Sequence, residues 1–418
     1  MASGERVTLT YTRRPSGPLH VDLSPFTPPV RVNDPSSSKP QPLPFVLYLH
    51  GGNFLSGSRH DVPTWLVQLC SARGFPLLCA DYRLAPHAGP DAAWSDVQEL
   101  WTFIREDLPW IVSAAGSGAE VESGTKPLDE AWEDLQRRGG LDHTRCIIFG
   151  AGAGGYLAAL GGALLSPPPL SVIMAYPILS LPHAGSAPTA SLHPVLRAAQ
   201  AEDERRAAHT SPELPALLDQ SPHVVAARAE VGMDIRRPWR GEAEGLRRVG
   251  LAEALLQANA LYPALRHWSL NALNPTKVIS GTSPIAHAPV NEPYPPIFIF
   301  HGSADDFVPV NATIDFMSAL RGSNSAAAAL DDLLPDAGKS SSSKRKTQQG
   351  SIPDGRVEPT RRFASVIMED AVHAFDALLT HEDTAHTEFI SQLEQWLVHK
   401  VEDRSAQDAS AVEFKEKL

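Results

Sequence analysis

The residues whose types suit chemistry lie in one glycine-rich turn and in two short stretches that each pair a histidine with an acid. Residues 144 to 160 read Thr-Arg-Cys-Ile-Ile-Phe-Gly-Ala-Gly-Ala-Gly-Gly-Tyr-Leu-Ala-Ala-Leu. A short apolar run, Cys146 to Phe149, meets four glycines and then a small-residue stretch. That pattern predicts a buried strand, a very tight turn, and a helix packed close against the strand. Turns of this shape serve two chemistries. One holds a nucleophilic serine on a sharp bend, written G-x-S-x-G. The other cradles the pyrophosphate of a dinucleotide, written G-x-G-x-x-G, and Gly150, Gly152 and Gly155 fit that spacing. The dinucleotide reading needs an acidic residue about twenty positions later to hold a ribose hydroxyl, and no Asp or Glu lies between Gly150 and Ala201. It also expects the turn in the first strand–helix unit, whereas here strands precede it. No cofactor is therefore expected. No metal is expected either, since Cys70, Cys79 and Cys146 sit in apolar contexts without ligand-like spacing and read as buried thiols.

The elements that must position these residues alternate along the chain. Residues 6 to 13 and 19 to 23 alternate apolar and polar, as antiparallel edge strands do. Phe45 to His50 is a continuous apolar run of the kind buried on both faces of a parallel sheet. Phe75 to Ala80, Ser171 to Ile178, Ile297 to Phe300 and Phe363 to Met368 have the same character. Helical spacing appears over 62 to 72, over 92 to 105, and in Phe389, Leu393, Trp396, Leu397 and Val401 near the end. Strands alternating with helices imply an α/β fold with a mostly parallel, doubly wound central sheet. A Gly/Ser-containing insertion spans about 113 to 127. Residues 183 to 290 are mostly helical and charged, without a strand signal. Residues about 322 to 361, with Ser340 to Ser343 and Lys344-Arg-Lys346, read as a disordered surface insertion.

Hydrophobic residues make up 43% of the 418, enough for a sizeable core, and the formal net charge is −12. Such a balance presents no basic face to nucleic acid or to an anionic membrane. The N-terminal sequence lacks the apolar centre of a signal peptide, and no apolar run is long enough for a membrane span. The C-terminal Glu-Lys-Leu falls short of a peroxisomal Ser-Lys-Leu. A cytoplasmic location is the expectation.

Four stretches, in this order, resemble the α/β-hydrolase fold and its hormone-sensitive-lipase-like esterase branch. His50-Gly51-Gly52-Asn53-Phe54 is similar to that branch's H-G-G-G oxyanion loop. Asp81-Tyr82-Arg83-Leu84-Ala85-Pro86 matches its D-Y-R-L-A-P motif. His301-Gly-Ser-Ala-Asp305 followed by Val308-Pro309 resembles its acid loop, and Val372-His373-Ala-Phe375 its histidine loop. The resemblance implies a hydrolase core over 1–182 and 291–402, a helical cap over 183–290 and a polar tail over 403–418. It implies that Asp305 orients His373, and that the N–H groups of Gly51, Gly52 and Ala153 face a developing oxyanion. His50 is expected to brace its loop, and Asp81 and Arg83 to form a structural ion pair or turn brace.

This chain departs from the resemblance at one position. Where the branch reads Gly-Asp-Ser-Ala-Gly-Gly, the sequence reads Gly150-Ala151-Gly152-Ala153-Gly154-Gly155, so glycine occupies the nucleophile position. No Ser, Thr or Cys lies between Cys146 and Ser166 to replace it. The triad is degenerate, yet a His/Asp pair beside an oxyanion hole is still a general base beside an enolate-stabilising site. Three functions stay open: esterase-like chemistry on a small apolar carbonyl or ester metabolite without an acyl-enzyme, a non-catalytic ligand-binding pseudoenzyme, and a carboxylesterase with an unrecognised nucleophile. Secondary metabolism is the expected setting. The expected partner is a small-molecule substrate, and the oligomeric state is left open.

Overall fold

The computed structural model describes residues 6–26, 41–85, 88–113, 129–180, 261, 265, 273–283, 290–291, 293–322, 359–378 and 389–404. Eight strands form one sheet: β1 (Val7–Arg14), β2 (Gly17–Ser24), β3 (Leu43–Leu49), β4 (Leu77–Ala80), β5 (Leu141–Ala151), β6 (Ser171–Ala175), β7 (Ile297–Gly302) and β8 (Phe363–Met368). Their order is β1-β2-β4-β3-β5-β6-β7-β8. The β1–β2 and β2–β4 pairings are antiparallel, and every pairing from β4 to β8 is parallel. All seven residues of β3 and all five of β6 are buried. Helices therefore have to cover both faces of the parallel part, as the uninterrupted apolar runs require.

One expectation is corrected here. The alternation of residues 19 to 23 suggested an edge strand, but β2 lies inside the sheet between β1 and β4. Its polar residue Asp22 is buried. Thr8 Oγ1 donates to it at 2.7 Å and Arg59 Nε at 2.9 Å. A polar position that reads as solvated is instead satisfied by a hydroxyl and a guanidinium, which only the folded chain brings together.

Helices pack on the two faces. Helix α1 (Thr64–Arg73) ends at Gly74, whose φ of 65° supplies the left-handed C-terminal turn. Helix α2 (Pro90–Glu106) starts with proline in its first turn and buries Trp94, Val97, Leu100, Trp101 and Ile104, the stripe its spacing predicts. Two shorter helices, α3 (Leu108–Ser113) and α4 (Asp129–Arg137), flank the insertion about 113 to 127, of which residues 114–128 lie outside the described residues. Helix α5 (Ala153–Leu164) is buried along its length from Ala153 to Ala163, which explains its small, apolar composition.

Of the expected cap, 183 to 290, most lies outside the described residues. Within it Leu261 and Leu265 are buried in the core, and a short helix, α6 (Pro275–Ile279), is capped by Asn274. Asn274 Oδ1 accepts the Lys277 N–H at 3.1 Å. Helix α7 (Asn311–Gly322) follows β7, and α8 (Phe375–Leu378) and α9 (389–404) follow β8. The insertion expected about 322 to 361 and the tail beyond residue 404 lie almost wholly outside the described residues. Among the described residues, no helix is long and apolar enough to cross a membrane.

Candidate active site

Because β3, β5, β6, β7 and β8 are neighbours and parallel, the segments that leave their carboxyl ends share one edge of the sheet. Open α/β sheets bind ligands at that edge. The loop His50–Phe54 leaves β3, Gly152 leaves β5, Tyr176 leaves β6, Asp305 follows β7 and His373 follows β8.

At the end of β5 the chain turns on Gly152, with φ 50° and ψ −109°, directly into α5. A glycine adopts this conformation freely, whereas a residue with a Cβ is strained there. The peptide is clamped from both sides: Gly152 N–H donates to Ala175 O at 3.0 Å, and Ile178 N–H donates to Gly152 O at 3.0 Å. Space does not dictate glycine here, since a Cβ on residue 152 would meet only Gly51 Cα at 3.8 Å. Gly154 is different. A Cβ there would sit 2.0 Å from Leu49 O, so glycine is what lets α5 lie against β3.

The loop after β3 is tightly wound. Leu55 and Ser56 N–H groups both donate to Gly52 O at 2.9 Å, which leaves the φ of Gly52 at 101°. Asn53 and Phe54 follow with φ of 56° and 61°. Asparagine replaces a glycine of the resembled loop at a position whose left-handed backbone asparagine tolerates. Among the described residues, no backbone hydrogen bond engages the Gly51 or Gly52 N–H. Ala153 begins α5, where leading N–H groups lack helical partners.

His50 is the internal brace of this loop. Its Nδ1 lies 2.7 Å from Gly51 O, and its ring stacks on Tyr82 at 4.1 Å. Tyr82 in turn donates its hydroxyl to His50 O at 2.7 Å. Burial lowers the imidazole to about 4, so it stays neutral and donates from Nδ1. Asp81 and Arg83 also brace, but not each other. Arg59 Nη1 meets Asp81 Oδ2 at 2.6 Å, while Arg83 Nε meets the buried Asp96 at 2.9 Å.

The two loops carrying a histidine and an acid do meet. His373 Nδ1 lies 2.7 Å from Asp305 Oδ2. The Asp305 side chain is fully buried and its Oδ1 accepts the Phe307 and Val308 N–H groups at 2.9 and 2.8 Å. Its Oδ2 also lies 3.2 Å from Nε2 of the buried His301. Burial alone would raise this carboxyl. The charge of His373, with the hydrogen bonds from His301 and His373, outweighs burial and holds it well below the usual carboxylate range. With Nδ1 turned to Asp305, Nε2 is the ring nitrogen that faces away from the carboxylate. The His373 side chain is 22% exposed, so the imidazole reaches solvent while its partner does not.

Two residues missed by reading the sequence stand beside His373. The Tyr176 ring lies edge-on at 4.6 Å and the Phe307 ring at 5.3 Å. The signal for Phe307 was its place inside the acid loop. For Tyr176 there was only its position at a strand end, before Pro177.

Residues 46–227 match the alpha/beta hydrolase fold family. The chain is 28% identical over 170 residues to "Probable carboxylesterase M8" of Phoma sp., covering 40% of this chain and 44% of that protein. It is 30% identical over 114 residues to "Non-reducing polyketide synthase stbA" of Stachybotrys bisbyi, covering 25% of this chain and 5% of the synthase. It thus spans less than half the length of these curated relatives. Among solved structures, esterase 2 of Thermogutta terrifontis phosphoramylated by tabun aligns over 95% of each chain with 15% identity and a TM-score of 0.47. The strand order and the family match over residues 46–227 show that the chain has the α/β-hydrolase fold.

Proposed function

We propose that the chain is an esterase-like protein that acts on a small apolar carbonyl or ester metabolite by general-base chemistry, without an acyl-enzyme. In this reading Gly152 occupies the nucleophile position, His373 is the base, Asp305 orients it, and the N–H groups of Gly51, Gly52 and Ala153 receive the developing oxyanion. The observation that carries it is the 2.7 Å contact between His373 Nδ1 and a buried, ionised Asp305, at the sheet edge where Gly152 bends.

The chemistry follows from the parts. His373 Nε2 takes a proton from a substrate carbon beside a carbonyl, or from a water that attacks the carbonyl. Negative charge gathers on the carbonyl oxygen, where preorganised N–H donors stabilise it. The imidazolium, held by Asp305, returns the proton to the leaving group or to the product. Elimination, isomerisation, cyclisation and direct hydrolysis all use these same parts. Loss of a serine nucleophile leaves roughly 10³–10⁴-fold catalysis over water in well-studied triads, so such a site retains useful power without it. The relatives among fungal polyketide synthases and a fungal carboxylesterase support a setting in secondary metabolism.

Fluorophosphonate labelling and p-nitrophenyl acetate turnover test the reading. The wild-type chain should give neither label nor burst. Gly152→Ser should gain both, and adding His373→Ala should remove them. A wild-type chain that labels stoichiometrically would reveal a nucleophile elsewhere and end the proposal.

A further inference from the structure

A second histidine stands near the end of β7, and the chemistry above makes no use of it. Ile297 to Phe300 are apolar and fully buried, and an apolar side chain at position 301 would continue that run. His301 is instead an imidazole with no exposure. Burying an imidazole is costly unless its ring nitrogens are satisfied. Here both are. Nε2 lies 2.8 Å from Val308 O, and Nδ1 lies 2.9 Å from Oγ1 of the buried Thr313 on α7. A carbonyl only accepts, so Nε2 carries a ring hydrogen. The Thr313 hydroxyl can donate to the other nitrogen, and that contact selects the tautomer.

The bond to Val308 leads to the acid. Val308 is held at both of its backbone groups: its carbonyl accepts from His301, and its N–H donates to Asp305 Oδ1 at 2.8 Å. The Phe307 N–H donates to the same oxygen at 2.9 Å. The other carboxylate oxygen, Oδ2, meets His373 Nδ1 at 2.7 Å and lies 3.2 Å from His301 Nε2. Hydrogen bonds therefore run from the α7 hydroxyl through His301 and Val308 to Asp305 and the base. Every residue in that run before His373 is buried. The first half of the acid loop is anchored separately. Ser303 and Ala304 N–H groups donate to Met368 O and Ala371 O at 2.9 and 3.0 Å, which ties that half to the histidine loop. The second half is held by side chains, the Asp305 carboxylate from within and His301 from the strand end.

We propose that His301 is a positioning residue for the Asp305–His373 pair. By holding Val308 O it fixes the N–H groups that Asp305 accepts, and so sets where Oδ2 stands for His373. Thr313 keeps the hydrogen on Nε2. The other tautomer would turn a lone pair toward two acceptors, Val308 O and Asp305 Oδ2. With no exposure of its own, His301 acts through Asp305 and not on substrate. This rests on His373 being the base.

The test has a spectroscopic and a kinetic arm. In the full-length wild-type chain, the Nδ1–H proton signal of His373, assigned by its loss in His373→Gln, reports the bond to Asp305. His301→Leu should shift and broaden that signal as its proton exchanges faster with water. His301→Gln, whose amide can donate to Val308 O and accept from Thr313, should keep it. In the Gly152→Ser background, His301→Leu should slow fluorophosphonate labelling by up to about 10²-fold, the loss a misplacement of about 1 Å brings. His301→Gln should label close to the Gly152→Ser parent. Thr313→Val, which removes the hydroxyl, should show a smaller loss of the same kind in both arms, and it decides the matter if His301→Leu does not fold. An unmoved His373 signal with unchanged labelling in His301→Leu, or in Thr313→Val where His301→Leu does not fold, would overturn the proposal while leaving the base intact. A loss in His301→Gln as large as in His301→Leu would also overturn it, since shape and not the hydrogen bond would then matter. Labelling of Gly152→Ser that does not depend on His373 would overturn the reading of His373 as the base, and this proposal with it.

Discussion

At Gly152 the backbone and the surrounding space make separate demands. The φ of 50° with ψ of −109° favours glycine, yet a Cβ would find only Gly51 Cα at 3.8 Å, an ordinary contact. A side chain on residue 152 is therefore opposed by conformational strain alone, of the order of 1–3 kcal/mol. Gly152→Ser should lower the unfolding free energy by about that amount, and Gly152→Ala by nearly the same, measured by urea denaturation. A much larger loss in both would mean that the bend is packed more tightly than its neighbours indicate. On the proposed function, stability and chemistry pull in opposite directions at this residue, because the serine that would supply a nucleophile also strains the turn. The bend was legible from the letters around it, because an apolar run ending in clustered glycines has few other meanings. The contact between His373 and Asp305 was legible only through resemblance, since 68 positions separate them and no local pattern joins them.

Among the elements, the junction of β1, α2 and the segment after β4 is held by charge. Asp96 on α2 is fully buried and receives Arg14 Nη2 from β1 at 2.8 Å and Arg83 Nε at 2.9 Å. The Arg83 N–H donates to the same carboxylate at 2.9 Å. Removing the shared acid leaves Arg14 with Glu99 alone and Arg83 with only the Ala92 carbonyl, so the loss should fall at or below the lower end of the about 3–5 kcal/mol seen for buried pairs. Asp96→Ala should show that loss in urea denaturation and faster amide exchange over residues 81–85. Tyr82 lies in that segment and stacks on His50, so the loop after β3 should loosen with it. Denaturation within error of wild type would reduce the cluster to a surface feature. The parallel strands and α2 were plain in the sequence, since continuous apolar runs and helical stripes are local signals. The inward place of β2 was not, because Asp22 finds its partners on Thr8 and Arg59, which lie 14 and 37 positions away.

For the whole molecule, a buried imidazole, His50, and a half-buried carboxyl, Asp61, displaced in opposite directions, shape the dependence of stability on pH. His50 is lowered by burial to about 4, against about 6.5 for a free imidazole. Between those values the unfolded chain binds a proton that the folded chain refuses, so stability falls as pH drops through that window. Asp61 is raised to about 8, by burial first and with help from Asp81, against the opposing Ser58 hydrogen bonds. A free carboxyl titrates near about 3.9, so between these values the folded chain keeps a proton that the unfolded chain releases. Stability from Asp61 is therefore full below pH about 4 and is lost as pH rises toward 8. From about pH 4 to 6.5 His50 and Asp61 oppose each other at one proton apiece; above about 6.5 His50 no longer acts, while Asp61, together with Asp376, which burial also raises, favours the acid side. Below about pH 4 the depressed Asp305 adds a further loss, because its unfolded carboxyl takes a proton first. Urea midpoints from pH 4 to 8 should thus show a plateau in acid and a decline above neutrality. Asp61→Asn should flatten the decline. His50→Gln, which retains an N–H for Gly51 O, should turn the plateau into a rise as pH falls. A decline undiminished in Asp61→Asn would assign it to another carboxyl raised by burial, such as Asp376, and not to Asp61.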